Sequence, residues 1–119
     1  MTLGQHQEQF SRHLVMLISM AHSRGYEVRI GEVERPIEMQ KIYVQTGRSK
    51  TMDSQHLKKC AADLHFFKDG SLCYPDELGA YWESLDPLNR WGGNWNKFKD
   101  KPHFERRTPG VGLHNLQIW

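Results

Sequence analysis

Residues 61–67 constrain the fold of this chain most strongly, because apolar residues there occupy every second position. This period is typical of a β-strand with one buried face, which would carry the apolar residues at positions 62, 64 and 66. Asp63 and His65 would share the other face. A carboxylate in such a strand is costly unless it is paired or binds a metal. The strand therefore predicts a partner for Asp63.

Two histidines and a second carboxylate are the candidate partners. His56 precedes Asp63 by seven residues, and Asp100 precedes His103 by three. A catalytic zinc site takes three ligands from histidine and carboxylate side chains, while a carboxylate that is not a ligand moves protons. The residues thus suggest His56, Asp63 and His103 as ligands of one zinc ion per chain, with Asp100 as the base.

Other ligand sets are possible, since the chain has seven histidines and fourteen carboxylates. His65 is the main rival ligand, because it would share a strand face with Asp63. A structural zinc site using Cys60, Cys73, His56 and His65 is a further alternative. It lacks the paired Cys-x-x-Cys spacing of such sites, and both cysteines are expected to be reduced thiols.

Three short motifs resemble the M15 family of zinc peptidases: Ser54-x-His56, Ala61-x-Asp63 and Trp95-x-x-Phe98-x-Asp100-x-x-His103-Phe104-Glu105. They are most similar to those of bacteriophage L-alanyl-D-glutamate peptidases and their D-Ala-D-Ala carboxypeptidase relatives, which cut the peptide stems of bacterial cell walls. The similarity runs from about Tyr26 to Glu105. It implies an α+β fold of the Hedgehog/D-Ala-D-Ala-peptidase type, with helices beside a small antiparallel sheet.

The resemblance also implies roles for four further residues. Arg35 matches a family arginine that points into the site, ahead of a helix that carries a glutamine, here Gln40. A guanidinium there would stabilise charge on a substrate carbonyl or carboxylate. Ser54, Gln40 and Trp95 are candidate substrate-binding residues, with Trp95 equally open to interpretation as a core residue.

One departure from the family pattern falls between the motifs. Lys59 stands where the family usually has glycine. Glycine permits backbone angles that lysine tolerates poorly, so the loop after His56 is expected to differ from its relatives.

The remaining chain predicts further elements around these motifs. Residues 7–23 have apolar positions at helical spacing, and Gly25 would end that helix. Residues 26–33 alternate as a strand with Ile30 on its buried face, and Pro36 would open a helix that runs to Gly47. An Asp69-Gly70 turn would form a hairpin in which Phe66 faces Cys73, and residues 75–85 would form a further helix. Residues 88–95 are expected to form a rigid aromatic and glycine-rich loop, and the segment 113–119 to dock on the fold.

Composition sets the wider expectations. A chain of 119 residues suits a single catalytic domain over 1–119, without a separate wall-binding module. A net charge of +2 is much lower than is typical of proteins that bind nucleic acids. No apolar run is long enough to span a bilayer. The N-terminus lacks the pattern of a secretory signal. The chain is therefore expected in the cytoplasm of an infected bacterium, reaching peptidoglycan on lysis as an endolysin, with a monomer assumed.

Three functions remain open at this point. Hydrolysis of an L-Ala-D-Glu bond in the peptidoglycan stem is favoured by the resemblance. D-Ala-D-Ala carboxypeptidase activity is the nearest alternative, because both kinds of relative share the ligands. A non-catalytic, zinc-stabilised domain that binds cell wall or assembles into a virion would be expected to lack a ligand or the base.

Overall fold

A long N-terminal helix packs beside a small antiparallel sheet in the computed structural model, which describes residues 1–35, 37–48 and 54–111. Helix α1 spans Leu3–Ser23, and Thr2 and Gln5 form a capping box at its start. Gly25 follows the helix with a φ of 86° and turns the chain towards the sheet. The predicted helix is confirmed and begins four residues earlier than expected.

Among the described residues there are two further α-helices, five strands and two 3₁₀ turns. Their bounds are β1 Glu27–Ile30, α2 Ile37–Gln45, a 3₁₀ turn Gln55–Lys58, β2 Ala61–Lys68, β3 Ser71–Cys73, α3 Asp76–Ser84, β4 Asn89–Trp91, a 3₁₀ turn Gly92–Asn94 and β5 His103–Arg106. The predicted α+β class with a small antiparallel sheet is confirmed. Pro36 and the segment 113–119 lie outside the described residues.

Strand β2 is the centre of the sheet, whose order is β1-β2-β5-β4, with β3 also paired to β2. Strand β1 pairs with residues 64–67 of β2, whereas β5 pairs with residues 61–63 and β3 with residues 66–68. Because β1 and β3 overlap along β2, they lie on opposite edges, and β3 therefore shares its edge with β5. The start of β2 is thus the part that meets β5.

The alternation in β2 divides the sheet into a core face and a cleft face. Ala62, Leu64 and Phe66 are buried with Phe104 of β5, against Phe10 of α1 and other apolar residues of α1 and α3. Asp63 and His65 lie on the other face, as their positions predicted. Burying one face in this way stabilises the sheet and determines which side chains remain available for a site.

Two sequence expectations need correction. The segment 88–95 was expected to be a loop, but residues 89–91 form β4, where Trp91 stacks on Phe104 at 6.3 Å between ring centres. Ile30, the last residue of β1, was expected on a buried face but is 60% exposed, whereas Val28 on the same face packs against the core. Pairing continues beyond β1, since Gly31 N–H donates to the Asp63 carbonyl at 2.7 Å.

Candidate metal centre

Strand register places Asp63 and His103 beside each other. In the β2–β5 ladder the Cα partner of Asp63 is His103. Directly opposed side chains in antiparallel strands have Cβ atoms about 5 Å apart, so this register brings a carboxylate and an imidazole into contact. These two residues lie 40 positions apart in the chain, and the ladder joins them without any contribution from a loop.

His56 reaches the same point from the 3₁₀ turn before β2. Ser54 caps that turn, because its hydroxyl accepts from the His56 N–H at 3.2 Å. Lys59 ends the turn in the left-handed conformation, with φ 56° and ψ 32°. Lys59 thus adopts a left-handed backbone angle, which glycine favours and lysine tolerates poorly.

The three side chains converge on a single point. His56 Nε2 lies 3.1 Å from His103 Nδ1, and Asp63 Oδ1 lies 3.3 Å and 3.6 Å from these two atoms respectively. The possible ligand atoms of the three residues all lie within 4.8 Å of one another. This spacing suits a shared cation, since zinc binds nitrogen and oxygen ligands at about 2.0–2.2 Å.

Hydrogen bonds at the far side of each ring show which atoms can bind a metal. His56 Nδ1 lies 3.0 Å from the Val33 carbonyl oxygen, which can only accept, so Nδ1 carries the proton. His103 Nε2 donates in the same way to the Glu105 carboxylate, at 2.7 Å. The nitrogens that face each other are therefore free of protons in the neutral rings. Such assignment of a tautomer by the opposite nitrogen is usual at metal sites.

The donor set fits a zinc ion. Asp63 Oδ1 is buried and accepts no well-formed hydrogen bond within the described structure. Two bare imidazole nitrogens beside this oxygen concentrate lone pairs that a shared metal ion would satisfy. Nitrogen donors with one carboxylate favour zinc over calcium and magnesium, which prefer oxygen shells.

The pKa values of the cluster show the same attraction for positive charge. Burial alone would lower the pKa of His103, but contacts with Asp63 and Glu105 outweigh it, and the pKa rises to about 9. Burial alone would raise the pKa of Asp63, but His103 and His56 outweigh it and lower that pKa. The cluster thus holds an ionised carboxylate and attracts a cation.

Asp100 lies beside the cluster without joining it. Its Oδ2 is 3.9 Å from His103 Nδ1, and its side chain is 40% exposed to the cleft. Burial raises its pKa, which makes the carboxylate a stronger proton acceptor. Gly92 holds the turn in place, because its carbonyl accepts from the Asp100 N–H at 3.0 Å. A Cβ on Gly92 would come within 2.3 Å of the Asp100 carbonyl oxygen, so this contact requires glycine.

Arg35 lines the same cleft but is already engaged. Its Nε donates to the Glu32 carboxylate, and its Nη1 donates to Gln40 Oε1 at 2.5 Å. Its guanidinium also lies 4.7 Å from the centre of the Tyr43 ring. The sequence did not reveal Glu32, whose charge offsets that of Arg35 inside the cleft.

Gln40 needs a corrected interpretation. It was predicted to bind substrate, but its side chain is fully buried and does not line the cleft. The hydrogen bond from Arg35 gives it a different role, which is to orient the guanidinium. Ser54 and Trp95 do line the cleft, an open space of about 870 Å³. The Trp95 ring lies 5.1 Å from the His103 ring, and its indole N–H has no partner within the described structure.

The rival ligand sets do not assemble among the described residues. His65 Nδ1 lies 2.8 Å from the Tyr74 hydroxyl, and His65 is absent from the three-residue group. Cys60 and Cys73 are both free, and burial raises the pKa of the Cys60 thiol to about 12. A thiol this hard to ionise is a poor metal ligand, because the thiolate is the form that binds.

Comparison with known proteins identifies the family. An M15 peptidase profile, described as D-alanyl-D-alanine carboxypeptidase, matches residues 47–106, half of the chain. The chain belongs to the M15 peptidase family. The matched segment contains all three residues of the metal-binding group and Asp100.

Two relatives extend the M15 similarity beyond that segment. The L-alanyl-D-glutamate peptidase of Listeria phage A118 is 35% identical over 101 residues, covering 81% of this chain. This chain spans only 36% of that relative's length. The crystal structure of an L-Ala D-Glu endopeptidase from Serratia marcescens matches with a TM-score of 0.61 and 26% identity, over 79% of this chain and 77% of the other.

Proposed function

We propose that this M15 family member is a zinc-dependent peptidase that cleaves an amide bond in the peptide stem of bacterial peptidoglycan, with the L-Ala-D-Glu bond favoured. The observation that carries this proposal is that His56, Asp63 and His103 converge in an open cleft. Asp100, a carboxylate outside this group, lines the same cleft. The phage and Serratia relatives, both named for L-Ala-D-Glu cleavage, support the choice of bond.

Each residue of the cleft would have a separate role in the proposed reaction. His56, Asp63 and His103 would hold one zinc ion per chain, which would polarise the substrate carbonyl and lower the pKa of a bound water. Asp100 would accept a proton from the attacking water. After the amide C–N bond breaks, Asp100 would return this proton to the leaving nitrogen. The product is one new carboxylate and one new amine.

Arg35 would act on the substrate from its position in the cleft. A guanidinium oriented by Gln40 and Glu32 can donate to a carbonyl or carboxylate oxygen without first being ordered. Burial raises the pKa of Asp100, and the positive charge of Arg35 in the same cleft offsets part of that rise. Trp95 would offer its ring, which lines the cleft beside His103, to the peptide stem. Ser54 would act indirectly, by capping the turn that carries His56.

D-Ala-D-Ala carboxypeptidase activity is the second candidate, because the matching family profile carries that description. The two activities release different products. A carboxypeptidase frees single D-alanine residues from the end of a stem, whereas an endopeptidase at L-Ala-D-Glu leaves L-alanine on the glycan and releases the rest of the stem.

Digestion of purified peptidoglycan, followed by mass spectrometry, tests the proposal. We expect fragments with a new L-Ala carboxyl terminus and a new D-Glu amino terminus, produced by zinc-loaded protein and lost with a chelator. Free D-alanine would favour the carboxypeptidase, and no product from zinc-loaded protein would favour a non-catalytic wall-binding or virion domain. Asp100→Asn is the matched control, since it retains the ligands.

Residues 1–119 are proposed to form a single catalytic domain that acts on the wall during host lysis. The phage relative supports this setting. None of the described helices has the length and hydropathy needed to cross a membrane.

A further inference from the structure

Glu105 is a buried carboxylate that the proposed reaction does not use. It lies two residues after His103 in β5, so both side chains project from the same face of the strand. Its side chain is 8% exposed, and Oε1 accepts from His103 Nε2 at 2.7 Å. Its second oxygen, Oε2, accepts from Arg107 Nε. Both carboxylate oxygens of Glu105 therefore already accept a hydrogen bond.

These contacts determine which nitrogen of His103 faces the metal-binding group. A neutral imidazole carries one proton, and a carboxylate at Nε2 holds the proton there. Nδ1 is then left bare, on the side of Asp63 and His56. If the proton moved to Nδ1, an N–H would point at the place where a cation must bind.

Arg107 contributes from the other side of Glu105. Arg107 donates to Oε2 while His103 donates to Oε1, and so keeps the carboxylate from turning away from His103. Its side chain is half exposed at the cleft, so this contact is less rigid than the one between Glu105 and His103.

We propose that Glu105 is a positioning residue, which locks His103 in the tautomer that presents Nδ1 to the metal, with Arg107 holding Glu105 in place. This inference rests on the proposed zinc site and adds to it a residue outside the ligand set. It requires Glu105 to act through His103, without touching metal or substrate.

Zinc affinity, measured by competition with a chromogenic chelator, is the first test. Glu105→Ala removes the acceptor, and substitutions of this kind typically weaken metal binding by about 10- to 100-fold. Glu105→Gln keeps an oxygen that can accept from Nε2, so its affinity should lie between those of wild type and Glu105→Ala. Arg107→Gln should weaken zinc binding by less than Glu105→Ala.

Asp86→Ala is the matched control for a loss of stability alone. Asp86 pairs with Arg106, the residue next to Glu105, at 3.0 Å, and its side chain has no contact with the metal-binding group. The control should lower thermal stability and leave zinc affinity unchanged. Equal losses of affinity in Asp86→Ala and Glu105→Ala would overturn the proposal, as would zinc affinity within about threefold of wild type in Glu105→Ala.

NMR of the imidazole N–H groups in zinc-loaded protein gives a readout that does not depend on activity. Wild type should show a His103 Nε2–H signal far downfield, because the proton is shared with a carboxylate. Glu105→Gln should keep this signal at a smaller downfield shift, even if Glu105→Ala fails to fold. A His103 Nε2–H signal in Glu105→Gln at the same chemical shift as in wild type would overturn the proposal. Wild-type protein that binds no zinc would instead contradict the proposed function.

Discussion

Two sides of the cleft are built in different ways. The ligand side, Asp63 and His103, lies on two central strands whose backbone ladder places the residues opposite each other. The arginine side, Arg35 with Gln40 and helix α2, depends on side-chain contacts. Within α2 only Gln40 is buried, and four of its apolar residues are at least 36% exposed: Ile37, Met39, Ile42 and Val44.

The difference indicates where each side is rigid. A ladder inside a buried sheet positions ligands to within a fraction of an ångström, as a metal requires. A helix with little buried apolar surface opens at a lower free energy than a core strand does. We therefore expect substitutions on the ligand side to abolish metal binding, and those on the arginine side to change substrate handling while the metal stays bound.

The largest expected effect is the loss of a ligand. His103→Ala removes one of three donors, so zinc content and peptidase activity should be lost together. Thermal stability in the presence of zinc should also fall, since a bound metal stabilises the folded state. His65→Ala is the matched control, because His65 lies on the same sheet face and contacts Tyr74 instead. Full zinc content in His103→Ala would contradict the assigned ligand set.

Loss of the base should leave the metal in place. Asp100→Asn preserves size and shape but cannot accept a proton, so turnover should fall by about 100- to 10,000-fold with zinc retained. Stopped-time assays on purified wall fragments, together with metal analysis, measure both quantities. Wild-type turnover would exclude Asp100 as the base, and loss of zinc would make it a ligand.

A substitution on the arginine side should have a smaller effect. Gln40→Met removes the oxygen that accepts from Arg35 Nη1 and leaves a partly buried donor without this partner. A lost hydrogen bond of this kind costs about 1–3 kcal/mol, which would correspond to a loss of about 5- to 150-fold in kcat/KM. Zinc affinity should not change. Gln45→Met, at the exposed end of the same helix, is the control. A Gln40→Met variant with reduced zinc affinity would show that the two sides are coupled.

The smallest expected effect is a gain in stability at Lys59. A left-handed conformation costs a non-glycine residue about 1–2 kcal/mol, and Lys59 has one other contact of note, a loose pair with Glu34 at 3.9 Å. Lys59→Gly should therefore raise the free energy of unfolding by about 1 kcal/mol. Asp69→Gly should gain less, because aspartate tolerates its φ of 52° better. A lower melting temperature in Lys59→Gly would contradict this account.

Local patterns were sufficient for much of the fold. The period-two pattern of β2 predicted its core and cleft faces, and Asp69-Gly70 predicted a hairpin that pairs Phe66 with Cys73. Prediction failed for β4, because the tryptophan and glycines of residues 88–95 resemble a loop when read locally. In the fold Trp91 packs between Gly79 and Gly93, where added Cβ atoms would come within 2.1 Å and 2.2 Å of its ring.

The sequence by itself determined the inventory of the site: two imidazoles, a strand carboxylate that needs a partner, and a further carboxylate before the second imidazole. These follow from residue type and short-range period, which the chain carries locally. Tertiary structure alone decided that Glu105 holds His103, that Glu32 offsets Arg35 and that Gln40 is buried. The partners in these contacts are close in the chain, but the contacts depend on side-chain direction and on burial against the rest of the fold, which residue type and short-range period do not specify.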